Sequence, residues 1–493
     1  MRKIIDQQLK LGEQSIGSIR LDPKSRDDIP HILRGLQFIY MTPDLRDRVF
    51  AILEELLPDG VKGKASPTTG RPGMNQWTIL VLGVVRQALN TDYDRVQELA
   101  NQHNTLRQML GHSDWEDETY YELQTIKDNL RLFTPEILDR INQEVVHAGH
   151  VLVKKNAEEG LNARCDSFVV ETHVHFPTDT NLLFDAIRKT IETCAKLSDD
   201  NGLTAWRQSA YNIRQFKKSY RHIQRLRHSR SKDEDKREAK RADIEQAHEA
   251  YLEQAEGYLK RAGATRRYLE LGCGLLLVLL NELDGYIVHA ERQIDQIRRR
   301  VLWGEVIPAG EKILSIFEPH TEWIVKGKAG VPVELGLRVC VVEDRYGFIL
   351  HHQVMEKTTD DRIAVSIIQE AKEQFTALSC VSFDKGFHSP QNQIDLAGIL
   401  EAVILPKKGR LSAADKMREH DPEFIRLRRQ HSAVESAINA LEVHGLDRCP
   451  DHGIDGFKRY VALAVLARNV HHLGAVLHRQ EKERIRGPYK KAA

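Results

Sequence analysis

Two separate parts of the chain carry strand patterns, and the long stretch between them is helical. The first is RCDSFVVETHVHF from Arg164, which is rich in β-branched and aromatic residues and is closed by the turn-like PTDT. From about residue 182 to 305 the apolar residues return to helical spacing. Strand patterns then resume in KILSIFEPH, LGLRVCVVEDRYGFILHHQVM, ALSCVSFDKGF and LEAVILPK. This order predicts one α/β domain with a mixed sheet, interrupted in sequence by an α-helical insertion.

Helical periodicity also dominates the residues before the first strand. NQWTILVLGVVRQAL begins at Asn75, a favourable N-cap residue, and is followed at once by TDYDRVQELANQHNTLRQMLG. Two short helices in succession resemble a helix-turn-helix, although an ordinary helical packing domain has the same pattern. The predicted organisation is an N-terminal arm at 1–42, an all-α DNA-binding domain at 43–157, an α/β core at 158–181 and 306–480, a helical insertion at 182–305 and a basic C-terminal tail at 481–493.

Composition limits the class of protein. The 493 residues are 41% hydrophobic and 29% charged, which is typical of a soluble chain with several globular domains. The net charge is only +1, so attraction to a polyanion has to come from local clusters of cations. The six cysteines form no close pair of the kind that binds zinc. Because the N-terminus is charged and the apolar run GCGLLLVLL is too short to cross a bilayer, we predict a cytoplasmic protein without a membrane partner.

One segment of the predicted insertion is strongly basic. RQFKKSYRHIQRLRHSR, from Arg214 to Arg230, has seven Lys or Arg residues and no acid, and Phe216 and Tyr220 stand between them. Cations interleaved with aromatic side chains are typical of surfaces that follow a nucleic-acid backbone, whereas a solvated helix face produces the same run of charge. The candidate DNA-binding residues in this run are Arg214, Lys217, Lys218, Arg221 and Arg225.

Three acidic residues occupy positions suited to a metal site. Asp166 lies in the first strand, where alternation puts it on one face with Phe168 and Val170, and a charge there is unfavourable unless a cation or hydrogen bonds offset it. Asp384 ends the strand in CVSFDKGF, and strand ends are common site positions in α/β domains. Glu435 lies on an amphipathic helix that could cross the sheet towards both aspartates. Three carboxylates suffice to hold the divalent ions that promote phosphoryl transfer.

The order and surroundings of these acids resemble a known family. DSFVVETHVHFPTDTNLL, SFDKGFHSPQN and HSAVESAINALEVHGLDR, in that order, are similar to the DDE signature of bacterial insertion-sequence transposases, most closely the ISNCY-type group. KGKAGVPVELGLRVCVVED and QELANQHNTLRQMLGH also resemble these enzymes. The resemblance extends from about residue 40 to 480.

The resemblance implies a fold, a reaction and its partners. It implies a ribonuclease H-like catalytic core, with Asp166, Asp384 and Glu435 as the first, second and third catalytic and metal-binding acids. The cofactor would be Mg²⁺, with Mn²⁺ as a substitute. The partners would be double-stranded DNA, namely the terminal inverted repeats of the element and the target DNA, and a second copy of the chain, since two ends have to be held. The expected location is the bacterial cytoplasm, in association with the nucleoid.

Two positions depart from the family pattern. Several related transposases carry an arginine four residues before the glutamate and a lysine seven residues after it, where this chain has His431 and Glu442. The DNA-end contacts attributed to that pair of residues do not carry over directly. Positive charge near this helix is instead available from Arg428, Arg429 and Arg448, unless these arginines serve only in helix-surface ion pairs.

Two other functions are compatible with parts of the sequence. His173 and His175 form an HxH pair near the end of the first strand, an arrangement with which amidohydrolase-type enzymes bind zinc. A barrel of that kind needs regular βα repetition downstream, and helices follow instead. The second alternative is a DNA-binding regulator that derives from a transposase and has an inactive core, which the presence of all three acids disfavours.

Overall fold

The computed structural model of the chain describes residues 3–5, 12–56, 73–113, 117–154, 156, 159–228, 234–269, 274–325 and 332–490. Outside the described residues lie parts of the predicted arm (1–2 and 6–11), of the all-α region (57–72), of the basic run (229–230), of the apolar run (272–273), of KGKAGVPVELGLRVCVVED (326–331) and of the tail (491–493). The chain divides into two compact units, the first formed by Met1–His173 with Ile324–Ala493 and the second by Val174–Trp323.

Helices form the N-terminal part of the first unit. They are α1 (Ile29–Met41), α2 (Pro43–Leu53), α3 (Gln76–Ala88), α4 (Tyr93–Gln102), α5 (Asn104–Met109), α6 (Leu123–Leu130) and α7 (Pro135–Val153). Local signals set several of their ends. Asp92 accepts the Arg95 N–H at 2.8 Å where α4 begins, and Pro135 is the first residue of α7 behind Thr134, whose hydroxyl accepts the Ile137 N–H. Every residue of α3 is buried, so the first helix of the predicted helix-turn-helix is a core helix.

The strands form one mixed sheet. They are β1 (Leu161–Thr172), β2 (Glu322–Val325), β3 (Val333–Asp344), β4 (Ile349–Met355), β5 (Leu378–Phe383), β6 (Ala402–Ile404) and β7 (Arg448–Cys449). The strand order is β2-β3-β1-β5-β6, with β4 pairing to β3 and β7 to β1. β3 is antiparallel to β1 and β4, whereas β5 runs parallel to β1 and β6. The α/β class and the mixed sheet predicted from the sequence are therefore confirmed.

Not every predicted strand is present. KILSIFEPH forms no strand, because the Ser315 hydroxyl accepts the N–H groups of Phe317 and Glu318 at 3.2 and 3.0 Å. These local bonds make a turn in place of the ladder bonds that a strand needs. The apolar and aromatic spacing of the segment did not reveal this competing local bonding, and the prediction was wrong.

Helices dominate the described part of the second unit. They are α8 (Asp179–Asp200), α9 (Ser209–His228), α10 (Glu234–Tyr268) and α11 (Gly274–Ile297). These helices enclose their own hydrophobic cluster, which includes Ile187, Ile191, Phe216, Tyr251 and Leu283. The predicted insertion at 182–305 falls inside this unit, which extends further at both ends.

Further helices belong to the first unit. They are α12 (Asp360–Gln374), α13 (Pro390–Ile399), α14 (Ala413–Glu419), α15 (Pro422–His431), α16 (Ala433–Leu441) and α17 (Gly453–Lys490). Because α17 continues to Lys490, the described part of the predicted tail at 481–493 is helical. By length and composition α17 could cross a membrane, but its most apolar window is 72% buried, as in the core helix of a soluble protein.

The predicted boundaries at 42 and 157 do not separate compact units. α1, which lies within the predicted arm, packs on α17, as do α3 and α7. Their buried residues join those of the sheet in one hydrophobic cluster, which includes Ile32, Trp77, Val145, Cys165 and Leu466. The sequence did not reveal this because an amphipathic helix shows which face is buried and not what covers it.

Candidate active site

The register of β1 and β5 places Asp166 beside Asp384. The two strands run parallel with Cys165 opposite Phe383, so the next residue of each, Asp166 and Asp384, are neighbours across the sheet. β5 ends at Phe383, where Asp384 begins a single turn of 3-10 helix and its side chain accepts the Gly386 N–H at 3.5 Å. A carboxylate within one strand therefore stands next to a carboxylate at the end of the neighbouring strand.

α16 brings Glu435 to the same place. The helix buries Ala437 and Leu441 against the face of the sheet that carries Phe168. Because side chains alternate along β1, Asp166 and Phe168 share that face. Glu435 is exposed in the first turn of α16, and its charge acts on Asp166.

The neighbouring acids act on the ionisation of Asp166. Burial is the main reason that the pKa of its carboxyl group is raised to about 6, and the negative charges of Asp384, Asp360 and Glu435 add to the rise. The Ser167 N–H, 2.8 Å from Asp166 Oδ1, opposes it. The structure thus brings the three acids predicted from the sequence into one electrostatic group, together with a fourth.

Asp360 is the acid that no sequence pattern identified. It is the first residue of α12, and the Ser167 hydroxyl donates to its Oδ1 at 2.6 Å. Gly386 lies so close that a Cβ there would be 3.2 Å from Asp360 Oδ2 and 3.8 Å from Asp384 Oδ2, so the two carboxylates flank the same glycine. Paired acids in the first turn of a helix commonly stabilise the helix dipole, which is why TTDDR indicated no site.

We call these four residues, Asp166, Asp360, Asp384 and Glu435, the acid cluster. Among the described residues no Lys or Arg forms an ion pair with any of them. Arg164, two residues before Asp166 on β1, pairs instead with Glu343 at 2.9 Å. Carboxylate oxygens are the hard donors that Mg²⁺ and Mn²⁺ favour, and the repulsion that raises the pKa of Asp166 is what a cation would relieve. The donor atoms of the acid cluster are therefore of the chemical type that such a cation favours.

His431, one of the two positions at which the sequence departs from the transposase pattern, lies beside the acid cluster. Its Nδ1 is 3.0 Å from the Ser382 hydroxyl oxygen, and burial lowers the pKa of the ring. The charges of Asp384 and Glu435 act on the ring in the opposite direction, which shows that they are near. At neutral pH His431 is therefore a neutral hydrogen-bonding group rather than a cation.

The predicted DNA-binding cations of the second unit all lie on α9. They are Arg214, Lys217, Lys218, Arg221 and Arg225, and each is exposed. In the part of the chain that the structure describes, no acid forms an ion pair with them. Phe216, by contrast, is fully buried and stacks on Tyr251 with 4.5 Å between ring centres. The interpretation of Phe216 as part of a nucleic-acid surface was wrong, because every third or fourth residue of α9 faces the core.

The predicted DNA-binding arginines of the first unit have different partners. Arg448 pairs with Glu171 at 2.6 Å, and Arg428 lies 3.8 Å from Glu419. Arg429 is exposed and forms no ion pair with a residue that the structure describes. Helix-surface pairing therefore accounts for two of the three.

The second segment of the predicted helix-turn-helix forms two helices, α4 and α5, and α4 has an acidic surface. It exposes Asp94, Arg95 and Glu98, so its solvent face carries more negative than positive charge. Such a face does not suit a helix that approaches phosphates. The exposed cations of α9 and Arg429 suit a polyanion better than α4 does.

The HxH pair does not lie on the first strand. β1 ends at Thr172, and His173 and His175 are exposed in the residues that follow. His175 Nε2 is 3.1 Å from Asp185 Oδ2, an ordinary surface pairing. The two histidines therefore do not project from alternate positions of a strand, as a zinc site of the amidohydrolase type requires.

We compared the chain with known proteins in three ways. A scan against models of protein families, a search of curated proteins and a search of solved structures each found no match. The function of this chain has to be inferred from the residues of its own site.

Proposed function

We propose that this chain is a DDE-type transposase of an insertion sequence, which binds the ends of its element and catalyses metal-dependent DNA strand cleavage and strand transfer. The observation that carries the proposal is the approach of Asp384, Asp360 and Glu435 to Asp166, which helps to raise the pKa of Asp166 to about 6. These acids come from four elements that are far apart in sequence. Grouping carboxylates without a counter-charge is unfavourable in a folded protein, so a structural role does not explain the cluster.

The sheet supports a ribonuclease H-like core for such an enzyme. The antiparallel strands β4, β3 and β1 are followed across the sheet by the parallel strands β5 and β6, which is the order expected of that fold. Asp166 lies within β1, and Asp384 follows the adjacent parallel strand. Both placements are those that the family resemblance implies for the first two catalytic acids.

The acid cluster would hold Mg²⁺, with Mn²⁺ as a substitute. When bound, such ions offset the charge that develops on a scissile phosphate and lower the pKa of the attacking hydroxyl group or water. The chain itself orients the ligands, since the Ser167 N–H holds Asp166, the Ser167 hydroxyl holds Asp360 and the Gly386 N–H holds Asp384. These bonds reduce the rearrangement that metal binding requires.

Double-stranded DNA is the proposed partner, as terminal inverted repeats and as target. The exposed cations of α9 support a phosphate-binding role for the second unit. Two element ends have to be held together, so we propose at least a homodimer on DNA. The corresponding location is the bacterial cytoplasm, in association with the nucleoid.

The experiment that tests this function is cleavage of duplex DNA that carries the sequences flanking the coding region. With Mg²⁺ or Mn²⁺ we expect nicks at the element boundary that leave a 3′-hydroxyl group, and none after chelation, because carboxylates alone cannot activate the attacking group. Denaturing gels identify the products and the cut position. Binding without cleavage under every metal condition would overturn the proposal and favour the inactive DNA-binding regulator.

Asp360→Asn tests the acid that the sequence did not reveal. We expect cleavage to slow by about 10- to 100-fold, because the amide oxygen still accepts the Ser167 hydroxyl while one negative charge is lost from the acid cluster. Initial cleavage rates over a range of Mg²⁺ concentrations measure the effect. The Mg²⁺ concentration at which the cleavage rate saturates should be higher for the variant than for the wild type.

Asp361→Asn is the matched control for this variant. Asp361 is the adjacent acid in the same helical turn, is exposed and does not belong to the acid cluster. We expect its cleavage rate to stay within about twofold of wild type. An equal loss of cleavage rate in both variants would mean that the loss comes from removing a charge at the start of α12 and not from the acid cluster.

A further inference from the structure

The helices α1 and α17 cross with their backbones in contact. A Cβ on Gly474 would lie 1.8 Å from the His31 carbonyl oxygen, and a Cβ on Gly35 would lie 2.2 Å from the Val470 carbonyl oxygen. Only glycine fits at either position, so the helices approach as closely as their backbones allow. Side chains on either side of this crossing are therefore held opposite one another.

Asp28, His31 and His471 converge near the crossing. Asp28 directly precedes α1, His31 lies in the first turn of α1, and His471 lies on α17. A carboxylate oxygen of Asp28 and a ring nitrogen of each histidine all lie within 4.8 Å of one another, and Asp28 Oδ1 is 3.6 Å from His471 Nε2. The ring of His478, also on α17, has its centre 4.9 Å from that of His31. Three potential ligands thus surround one point, with a fourth beside them.

Two histidine nitrogens in this group are buried without a hydrogen bond. His471 Nε2 and His478 Nδ1 have no hydrogen-bond partner within the described part of the chain. A buried polar atom without a partner is unfavourable by about 1 to 3 kcal/mol, so each such atom calls for an explanation. A bound metal ion would satisfy a nitrogen that makes no hydrogen bond within the described part of the chain.

Burial favours the neutral form of these histidines. It is the main cause of the lowered pKa values of His471, His31 and His478. A neutral imidazole keeps the lone pair that coordinates a metal.

We propose that Asp28, His31 and His471 bind a divalent transition-metal ion, of which Zn²⁺ is the best match, and that His478 is available as a fourth ligand. Imidazole nitrogens with one carboxylate suit Zn²⁺, whereas Mg²⁺ and Ca²⁺ favour oxygen ligands only. Tetrahedral zinc ligands lie about 3.3 Å apart, so the ligand atoms, which lie within 4.8 Å of one another, have to close by up to about 1.5 Å. The exposed Asp28 can supply part of this movement by rotation. The ion would link α17 to the start of α1 and to the residue directly before it. No residue of the acid cluster belongs to this site.

Calorimetric titration of the untagged, full-length chain with Zn²⁺ tests the site, after chelator treatment and with excess Mg²⁺ present to occupy the acid cluster. We expect one Zn²⁺ per chain, and at least about 100-fold weaker binding by both Asp28→Asn and His471→Gln. Asp28 is exposed, so its variant should fold even if His471→Gln does not. Saturating Zn²⁺ should raise the thermal unfolding midpoint of the wild type and of neither variant.

Glu481→Gln is the matched control for these variants. Glu481 on α17 forms an ion pair with Arg34 on α1, so it joins the same two helices without being a proposed ligand. Its Zn²⁺ affinity should equal that of the wild type. Equal Zn²⁺ affinity in the wild type and both ligand variants, or a wild-type unfolding midpoint that does not respond to Zn²⁺, would overturn the proposal.

Discussion

Asp384→Asn is expected to slow DNA strand cleavage by at least about 1,000-fold, or about 4 kcal/mol in activation free energy, while DNA affinity stays within about twofold of wild type. The asparagine has nearly the same size, and its oxygen can still accept the Gly386 N–H. It lacks the negative charge that a divalent cation needs beside Asp166. Affinity should survive because a carboxylate repels phosphates and contributes nothing to their attraction.

Asp395→Asn is the control for this prediction. Asp395 is half-buried on α13, where it accepts the Gln391 side-chain N–H at 2.7 Å, and it does not belong to the acid cluster. Gel-shift titration measures DNA affinity, and product formation on the same duplex measures cleavage. Wild-type cleavage by Asp384→Asn would contradict the assignment of Asp384, whereas loss of DNA binding in that variant would indicate a folding defect.

Asp166→Asn is expected to abolish cleavage and yet to stabilise the metal-free protein by about 2 kcal/mol near neutral pH. Burial and the neighbouring acids raise the pKa of Asp166 from 3.8 to about 6 in the folded chain. The whole shift corresponds to about 3 kcal/mol, and we expect less because the carboxyl group is only half-buried. The asparagine carries no charge, and its oxygen can still accept the Ser167 N–H.

The pH dependence of this effect follows from the direction of the shift. Below about pH 4 the Asp166 carboxyl group is protonated in the folded and the unfolded chain, so wild type and variant should be nearly equal in stability. Between about pH 4 and 6 the unfolded chain loses this proton before the folded chain does, and the wild type becomes less stable than the variant. Above about pH 6 the group is ionised in both states, and the difference stays constant.

Urea titrations of both proteins across this pH range, with a chelator present, measure the difference in free energy of unfolding. Other buried acids, such as Glu343, whose pKa burial raises to about 7, titrate in both proteins and cancel in the difference. Added Mg²⁺ should stabilise the wild type more than the variant. A difference that does not change with pH would mean that Asp166 is not held among repelling carboxylates.

Local patterns marked three of the four acids as candidates, and the resemblance of their ordered segments to one family singled them out among the other acids. Strand alternation marks Asp166, a strand end marks Asp384, and an apolar stripe on its helix marks Glu435, and each of these signals is contained within a few residues. Asp360 joins the cluster through its hydrogen bond with Ser167, which is far away in the sequence. A contact between residues far apart in sequence cannot be inferred from the residue pattern of either segment.

The arrangement of the helices was harder to predict. The insertion could be recognised because helical spacing replaces strand spacing over a long stretch of the chain. The sequence did not show that the N-terminal helices pack with the sheet. In the structure α17 packs on α1, α3 and α7, but an apolar helix surface does not indicate which elements cover it. For the same reason the sequence indicated exposed cations on α9 and concealed the burial of Phe216.

The insertion of the second unit between β1 and β3 affects the order in which the acid cluster can form. β1 pairs with β3 from Ala163 to Glu171, yet residues 174–323 are synthesised between these strands. Each doubling of a flexible loop adds about 0.6 kcal/mol of closure entropy, and an insertion that first folds on its own core shortens the flexible part. A ribosome-bound chain therefore carries Asp166 long before its partners exist, and the acid cluster is complete only once α16 has been synthesised.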